Sequence, residues 1–405
     1  MARIATANES RLDRLACRMY QSSTGLPHLL APKAYFDPEF YRSELSTILN
    51  PSWQLVGTTL KLQNSGDFFT TSCFGEEIQV RNFDGCLKAL SNVCAHRHCL
   101  ISDQAQGHSP AMRCQYHGWE YGEDGFTRKI PCAKEFAPID RSSFRLHEYR
   151  IETAGQLVFI CLDQSAGDLQ TFLGPIASRV MQRFGADWRQ FYRGKFQYEA
   201  NWKVSIENSL EAYHVESIHP NTFRAAPGED RSEHLLNSRH TSFSTDTPFA
   251  AHHRSDEWFQ RIEGWMVRKL GVIPTCRYEQ HHVFPNLLFS FTDAISLVHS
   301  VVPLGPTSSR SLMFQFGLFP AKISFGKRMI ARLLGRVEAE ILKRIMKEDM
   351  QLYPSIQRGL QSSRHQGTLA RSEERIHAFQ DYHCKLLSNR TSESMAATDS
   401  SEGKL

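Results

Sequence analysis

From residue 53 to about 163 the chain runs in short apolar stretches, 53–57, 68–71, 78–81, 87–90 and 157–161, rich in Val, Ile, Leu and Phe. Each is too short for a stable helix, and Gly66-Asp67, Asp84-Gly85 and Asp124-Gly125 offer turn chemistry between them. The pattern predicts a small antiparallel β domain. The period then changes. Residues 168–193 read as helical, and 201–218 carry apolar residues at helical spacing. His219-Pro220 should end that helix, because the residue before a proline is driven out of the α region.

Strand-like runs return at 278–284, 287–292, 296–303 and 311–319, which predicts a second antiparallel sheet. A long helix-forming stretch follows over 325–361, with few breakers before Pro354. The last residues, 388–405, are rich in Ser, Thr, Glu and Gly and hold too little apolar surface to pack, so a disordered tail is expected. At 405 residues the chain exceeds one comfortable core. The expected organisation is an N-terminal arm (1–50) packing on the second domain, a first β domain (51–165), a second domain (166–387) and the tail.

Composition narrows the function classes. With 41% apolar and 22% charged residues the chain is of ordinary globular type, and its net charge of +4 comes from Lys and Arg spread along the sequence. No basic footprint for nucleic acid results. No stretch approaches ~18 uninterrupted apolar residues, and residues 1–20 lack the apolar core of a secretory signal, so neither a membrane span nor export is expected. A cytoplasmic protein is predicted. Its ten cysteines lack small-domain disulfide spacing; in a reducing compartment such cysteines are buried thiols or metal ligands.

Four residues stand out as ligands: Cys94 and His96, then Cys114 and His117, with seventeen residues between the two segments. A structural zinc site uses the same ligand set, but zinc fingers pair Cys with Cys and His with His at short spacing. Here each segment gives one Cys and one His. That suits a [2Fe-2S] cluster in which one iron takes both thiolates and the other both imidazoles. The segments Asn92-Val93-Cys94-Ala95-His96-Arg97 and Cys114-Gln115-Tyr116-His117-Gly118-Trp119 resemble the Rieske fingerprint of ring-hydroxylating non-heme iron oxygenases. Cys99 stands where respiratory-chain Rieske proteins have a disulfide cysteine, but its partner position is Tyr116, which points to the oxygenase branch.

A second motif lies downstream in 207–220. On a regular helix His214 and His219 would point roughly 140 degrees apart, and the break at Pro220 is expected to let His219 swing toward His214. Glu211-x-x-His214-x4-His219-Pro220 resembles the family motif that places two histidines on a catalytic mononuclear Fe(II). The resemblance implies a third ligand on a late helix before a Gln-x-Gly stretch, and Asp349 ahead of Gln357-Arg358-Gly359 matches that place better than Glu348. It also implies that the acid three before the first histidine bridges that ligand to a cluster histidine, His117, of a neighbouring subunit. The family commonly has Asp there; Glu211 is similar to oxygenases that attack quaternary amines.

The implied fold is α+β: an N-terminal antiparallel β Rieske domain, then a helix-grip (START-like) catalytic domain with an antiparallel sheet and a long C-terminal helix. The implied activity is that of a terminal oxygenase alpha subunit, a mono- or dioxygenase working as a homotrimer. It takes electrons from NAD(P)H through a separate reductase, with or without a ferredoxin, and uses O2 to hydroxylate an aromatic substrate. Demethylation or monooxygenation of a quaternary amine or methoxy compound is the second reading, and an electron carrier with no working iron the third. Phe284, Phe289, Phe291 and His299 are pocket candidates whose facing the sequence leaves open.

Overall fold

The computed structural model describes residues 26–219, 222, 227, 231–237, 239–246, 254–320 and 322–402, with the side chains of 141, 254–260 and 390–402 left aside. Residues 1–25, Pro220 and 403–405 therefore lie outside the described residues, and with them half of the arm and the proline of the His219-Pro220 break. The chain forms two compact units. The first is Asn50–Gly185; the second joins the described parts of Met1–Leu49 and Ala186–Leu405.

The first unit holds ten strands, all paired antiparallel: β1 (Gln54–Thr58), β2 (Asp67–Cys73), β3 (Glu76–Phe83), β4 (Cys86–Ser91), β5 (Gln106–His108), β6 (Met112–Arg113), β7 (Glu120–Tyr121), β8 (Thr127–Lys129), β9 (Glu148–Ala154) and β10 (Leu157–Cys161). Seven form a sheet in the order β1-β10-β9-β4-β3-β2-β5, and β6-β7-β8 form a small one. Asp84 and Gly85, both with left-handed φ (49° and 93°), make the two-residue turn between β3 and β4, since that tight hairpin needs positive φ at both positions. Val56, Phe69, Ile78, Val80, Val158 and Ile160 build the core of the large sheet. A separate core of Ile101, Met112, Trp119, Tyr121 and Leu146 encloses Cys94 and Cys114. The unit also takes in two short helices, Leu169–Leu173 and Ala177–Arg183.

Helix was expected through residue 193, but an eleven-residue strand, β11 (Trp188–Tyr198), starts the second unit instead. Its aromatic residues fit a pleated, half-buried surface better than a helix. β11 also carries a bulge between Gln190 and Tyr192, and the Phe191 ring fits there against two glycines. A Cβ on Gly335 would sit 2.5 Å from that ring and one on Gly317 2.8 Å. Besides a two-residue pairing of Leu26–Pro27 with Thr368–Leu369, the other strands are β12 (Ser232–Leu236), β13 (His240–Asp246), β14 (Arg277–Val283), β15 (Leu287–Phe291), β16 (Ile295–Gly305) and β17 (Ser308–Leu318), and these six join β11. They make one antiparallel sheet in the order β11-β17-β16-β15-β14-β13-β12.

Six helices accompany this sheet: α1 (Pro38–Glu44), α2 (Trp202–Ser209), α3 (Val215–Ile218), α4 (Arg254–Leu270), α5 (Phe325–Ser362) and α6 (Glu374–Glu402). α5 continues through Pro354, held on both sides of the missing donor by the buried Tyr353 and Gln357. Gln357 accepts from the Asn201 N–H (2.8 Å) and donates to the Tyr35 carbonyl (3.1 Å). α6 runs on through most of 388–405, where composition predicts disorder; extending a seeded helix is far cheaper than starting one. Glu44, Lys203 and His383 are completely buried together, with Lys203 Nζ 2.5 Å and His383 Nε2 2.7 Å from Glu44 Oε1. Removing Glu44 or Lys203 would leave the other's buried charge unpaired, at a cost of about 3–5 kcal/mol.

Paired residues share a face of an antiparallel sheet, so register settles which side chains face the helices. One row runs Thr241, His282, Leu288, His299, Met313, and the next runs Phe243, Gln280, Ser290, Leu297, Gln315, Tyr192. Arg375 of α6 donates to Thr241 and Gln280, and Lys343 of α5 lies over the Tyr192 ring. These rows therefore form the helix-bearing face. His299 is on it; Phe289 and Phe291 point to the other face, and Phe284 packs against Phe379 and Tyr382.

Candidate metal centres

The Cys94 and Cys114 segments fold into two loops with the same hydrogen bonds. In one, Cys94 N–H donates to the Cys99 carbonyl and His98 N–H to the Cys94 carbonyl; in the other, Cys114 N–H donates to Trp119 and Gly118 N–H to Cys114. The fifth residue of each loop is left-handed, His98 at φ 57° and Gly118 at 72°. A Cβ on Gly118 would also meet the Arg113 guanidinium at 2.9 Å. Both cysteines are buried, and the His96 and His117 ring centroids are 4.7 Å apart. Trp119 stacks on His96 at 4.8 Å, and the Tyr121 hydroxyl lies 3.0 Å from Cys94 Sγ and accepts from the Ala95 N–H at 3.1 Å.

This donor set suits a metal cluster. Burial first, with His117 and Arg97 beside it, lowers the proton affinity of His96 and keeps it neutral, and its buried Nδ1 has no hydrogen-bond partner. Burial pushes the Cys94 thiol up, so a thiolate there needs metal charge to be stable. Cys99 is partly buried and directs its thiol to the Leu100 carbonyl at 3.3 Å, while Tyr116 is 56% exposed and lies against the His117 ring, with the Arg97 guanidinium over its other neighbourhood at 5.5 Å.

In the second unit the helix α2 stops at Ser209, well before the expected end at His219. His214 then caps the start of the one-turn helix α3 and His219 its end. The two rings converge, 5.4 Å between centroids, because a break falls ahead of His214. Glu211 thus reaches His214 across a turn: its carboxylate accepts from the His214 N–H (3.1 Å) and contacts ring Nδ1 closely. Asp349 comes from α5, 6% exposed, with Oδ1 3.0 Å from His219 Nε2 and 3.6 Å from His214 Nε2. One ligand atom from each of His214, His219 and Asp349 lies within 4.8 Å of the others.

Glu348 has a role of its own. It accepts from His219 Nδ1 (2.7 Å) and from the Thr222 hydroxyl (2.8 Å). Each histidine thus has a carboxylate behind Nδ1 and turns Nε2 toward Asp349. Asp349 Oδ1 is buried without a directed hydrogen bond despite these close nitrogens. Burial lowers His219, but Asp349 and Glu348 together more than offset it and raise the ring's proton affinity. A divalent cation in place of that proton would satisfy all three groups. The sequence offers Glu348 only as the weaker candidate for the third ligand and gives no sign of Thr222, because the contacts of Glu348 to His219 and Thr222 span more than a hundred residues.

Comparison with known proteins agrees with this layout. Residues 52–150 match the Rieske [2Fe-2S] domain family, and residues 185–388 match the ring-hydroxylating alpha subunit (catalytic domain) family. Choline monooxygenase of Spinacia oleracea is 33% identical over 192 residues, covering 46% of this chain and 44% of that protein, so the chain spans less than half that relative's length. The Arabidopsis thaliana choline monooxygenase is 27% identical over 370 residues, 88% of this chain and 81% of that one. Benzene 1,2-dioxygenase subunit alpha of Pseudomonas putida is 35% identical over 193 residues, 45% and 42% of the two chains. Among solved structures, a quaternary ammonium Rieske monooxygenase with inter-subunit electron transfer superposes with a TM-score of 0.71 at 20% identity, over 92% of this chain and 97% of that one. At that identity the likeness is one of fold.

Proposed function

Since the chain belongs to the ring-hydroxylating alpha-subunit family and carries a Rieske [2Fe-2S] domain ahead of its catalytic domain, we propose that it is a terminal oxygenase in which Cys94, His96, Cys114 and His117 hold the cluster and His214, His219 and Asp349 hold a mononuclear Fe(II). The observation that carries the second assignment is the buried Oδ1 of Asp349, without a hydrogen bond and facing two Nε2 atoms whose rings are oriented from behind. When bound, the cluster would supply electrons singly, and iron in a two-histidine, one-carboxylate site would leave open positions for O2. The protein's own part is orientation. Glu211 and Glu348 accept the Nδ1 protons, which fixes the tautomer that presents Nε2.

The substrate of the first reading is an aromatic ring to be hydroxylated. A second reading, oxidation of a quaternary amine, is favoured by Glu211 standing where Asp is common and by the similarity to choline and carnitine monooxygenases. The proposed partners are a reductase fed by NAD(P)H, with or without a ferredoxin, and two further copies of the chain, in the cytoplasm. Among the described residues no helix is long and apolar enough to cross a membrane. A product screen under labelled O2 with a surrogate reductase tests the activity. Incorporation of label with about three irons per chain supports the oxygenase, whereas about two irons and no labelled product would leave only an electron carrier.

Glu211 is assigned the bridge from His214 to His117 of a neighbouring copy. Its contact with the His214 ring is made within the chain. Glu211→Gln keeps shape and one acceptor but loses charge assistance, which roughly halves hydrogen-bond strength. In a single turnover of fully reduced protein, cluster oxidation is expected to slow at least about tenfold with iron content nearly unchanged. An unchanged rate would remove Glu211 from the electron path.

A further inference from the structure

The helix-bearing face of the catalytic sheet holds a cation that, among the described residues, forms no ion pair. Arg375, in the first turn of α6, is 2% exposed. Its Nε donates to the Thr241 hydroxyl (3.2 Å) and its Nη1 to the Gln280 carbonyl oxygen (2.9 Å), both neutral, while the buried Nη2 has no partner. Glu374, its chain neighbour, is turned to His234 at 3.0 Å. Burial pulls the guanidinium down to about 10, against the weaker influence of Tyr278 and Glu374. Buried charges are ordinarily paired, because desolvation is not otherwise offset.

The surroundings suit a ligand. Gln280, Ser290, Leu297 and Gln315 lie in one row of the sheet, and the Tyr278 hydroxyl bonds Ser290 Oγ at 3.0 Å. Leu297, on the same face, is only half-buried, so the middle of this row is open to solvent. Gln315, 2% exposed, has a buried carbonyl oxygen with no partner. The neighbouring row holds His299, close enough to Asp349 to feel its charge. With strands ~4.8 Å apart and ~3.4 Å per residue, Gln280 is roughly 12 Å from His299 along the sheet. That is the reach of a small organic molecule lying between the two.

We propose that this row is the floor of the substrate site and that Arg375 Nη2 binds a carboxylate of the substrate, whose reacting end lies toward Asp349. The substrate is then an organic acid, whether an aromatic acid or a zwitterionic quaternary amine. This deepens the oxygenase reading and rests on it. The Phe243 ring, 5.8 Å away, engages the face of the guanidinium, and its Nε and Nη1 meet neutral acceptors; the edge at Nη2 is what remains for an anion, which the guanidinium fork suits.

The test uses the holoenzyme and a panel of aromatic and quaternary-ammonium carboxylic acids, each paired with its primary amide. Thermal stabilisation and labelled-oxygen incorporation are read for both members of each pair. Acids are expected to stabilise the protein and their amides not. Arg375→Gln should raise KM for the responsive acid at least about tenfold while cluster spectrum and iron content stay as they were, and Arg375→Lys should recover part of the loss. Amides that bind or react as well as their acids, a panel with no acid-specific response, or an Arg375→Gln protein that still prefers acids would each overturn the assignment. If Arg375→Gln does not fold, the acid and amide comparison on the unaltered protein decides. Acid binding without labelled product would instead count against the oxygenase reading, and oxidation of an amide would leave that reading standing without Arg375.

Discussion

Asp349→Ala is expected to leave a protein with an intact cluster spectrum, about two irons per chain where the parent holds about three, and turnover below about 1%. Asp349 is the one carboxylate directed at both Nε2 atoms; Glu211 and Glu348 are engaged behind the rings. Loss of a group that merely supports a ligand costs about 10–100-fold in metal affinity, and loss of the ligand itself should cost more. The fold should survive. Alanine is the best helix former, Asp349 sits in the interior of α5, and ending the burial of its carboxylate offsets the loss of its interaction with the His219 ring in the metal-free protein. The melting temperature of the metal-free variant should therefore match or exceed that of the metal-free parent. Near-normal iron and rate in Asp349→Ala would move the third ligand to another residue.

Cys114→Ala should give the converse result: no visible cluster absorption, no reduced-cluster EPR signal, and about one iron per chain. Cys114 is 3% exposed and shares its core with Trp119, Met112 and Cys94; Cys99 packs on the same core but turns its thiol to the Leu100 carbonyl, so a Cys99→Ser, Cys114→Ala double variant checks that it does not stand in as a ligand. Because metal binding and folding of such a site are linked, the first unit should also lose stability and its amide protons should exchange faster. The second unit, with its own core and its own ligand set, should keep its iron. Zinc without acid-labile sulfide in anaerobically purified parent protein would show that the four ligands serve a different metal.

How much of this the sequence revealed depends on how local each signal was. The cluster ligands come in two short segments, and each segment becomes one loop, so ligand identity and geometry are encoded within six residues. His214 and His219 were equally visible as a pair. The turn that makes them converge was not, because Leu210 to Tyr213 looks helical by composition and leaves the helix only when Glu211 turns to cap His214. Asp349 could be placed only through the resemblance, since nothing around it distinguishes it from Glu348 beyond tertiary contacts. The first half of β11 reads as helix in the sequence because its arginines and glutamines obscure the alternation of its aromatics. The strands β12 and β13 carry Ser, Thr and His where an apolar stripe would have announced them. Register, too, was out of reach: a shift of one residue exchanges His299 with its neighbours between faces, and only the pairing decides it.

Gln357 holds the helix of Asp349 by two backbone groups, the Asn201 N–H and the Tyr35 carbonyl. Every residue type except proline has the first group, and every residue type has the second. The lock therefore asks nothing of the side chains at 35 and 201 and everything of the glutamine and of the eight-residue interval from Asp349 to it. One residue inserted in that interval would turn Asp349 by about 100 degrees relative to the anchor, off the two histidines. Point substitutions can thus accumulate widely around this helix over evolutionary time, while changes in its length between 349 and 357 cannot; divergence in this part of the chain is expected as altered letters in an alignment without gaps.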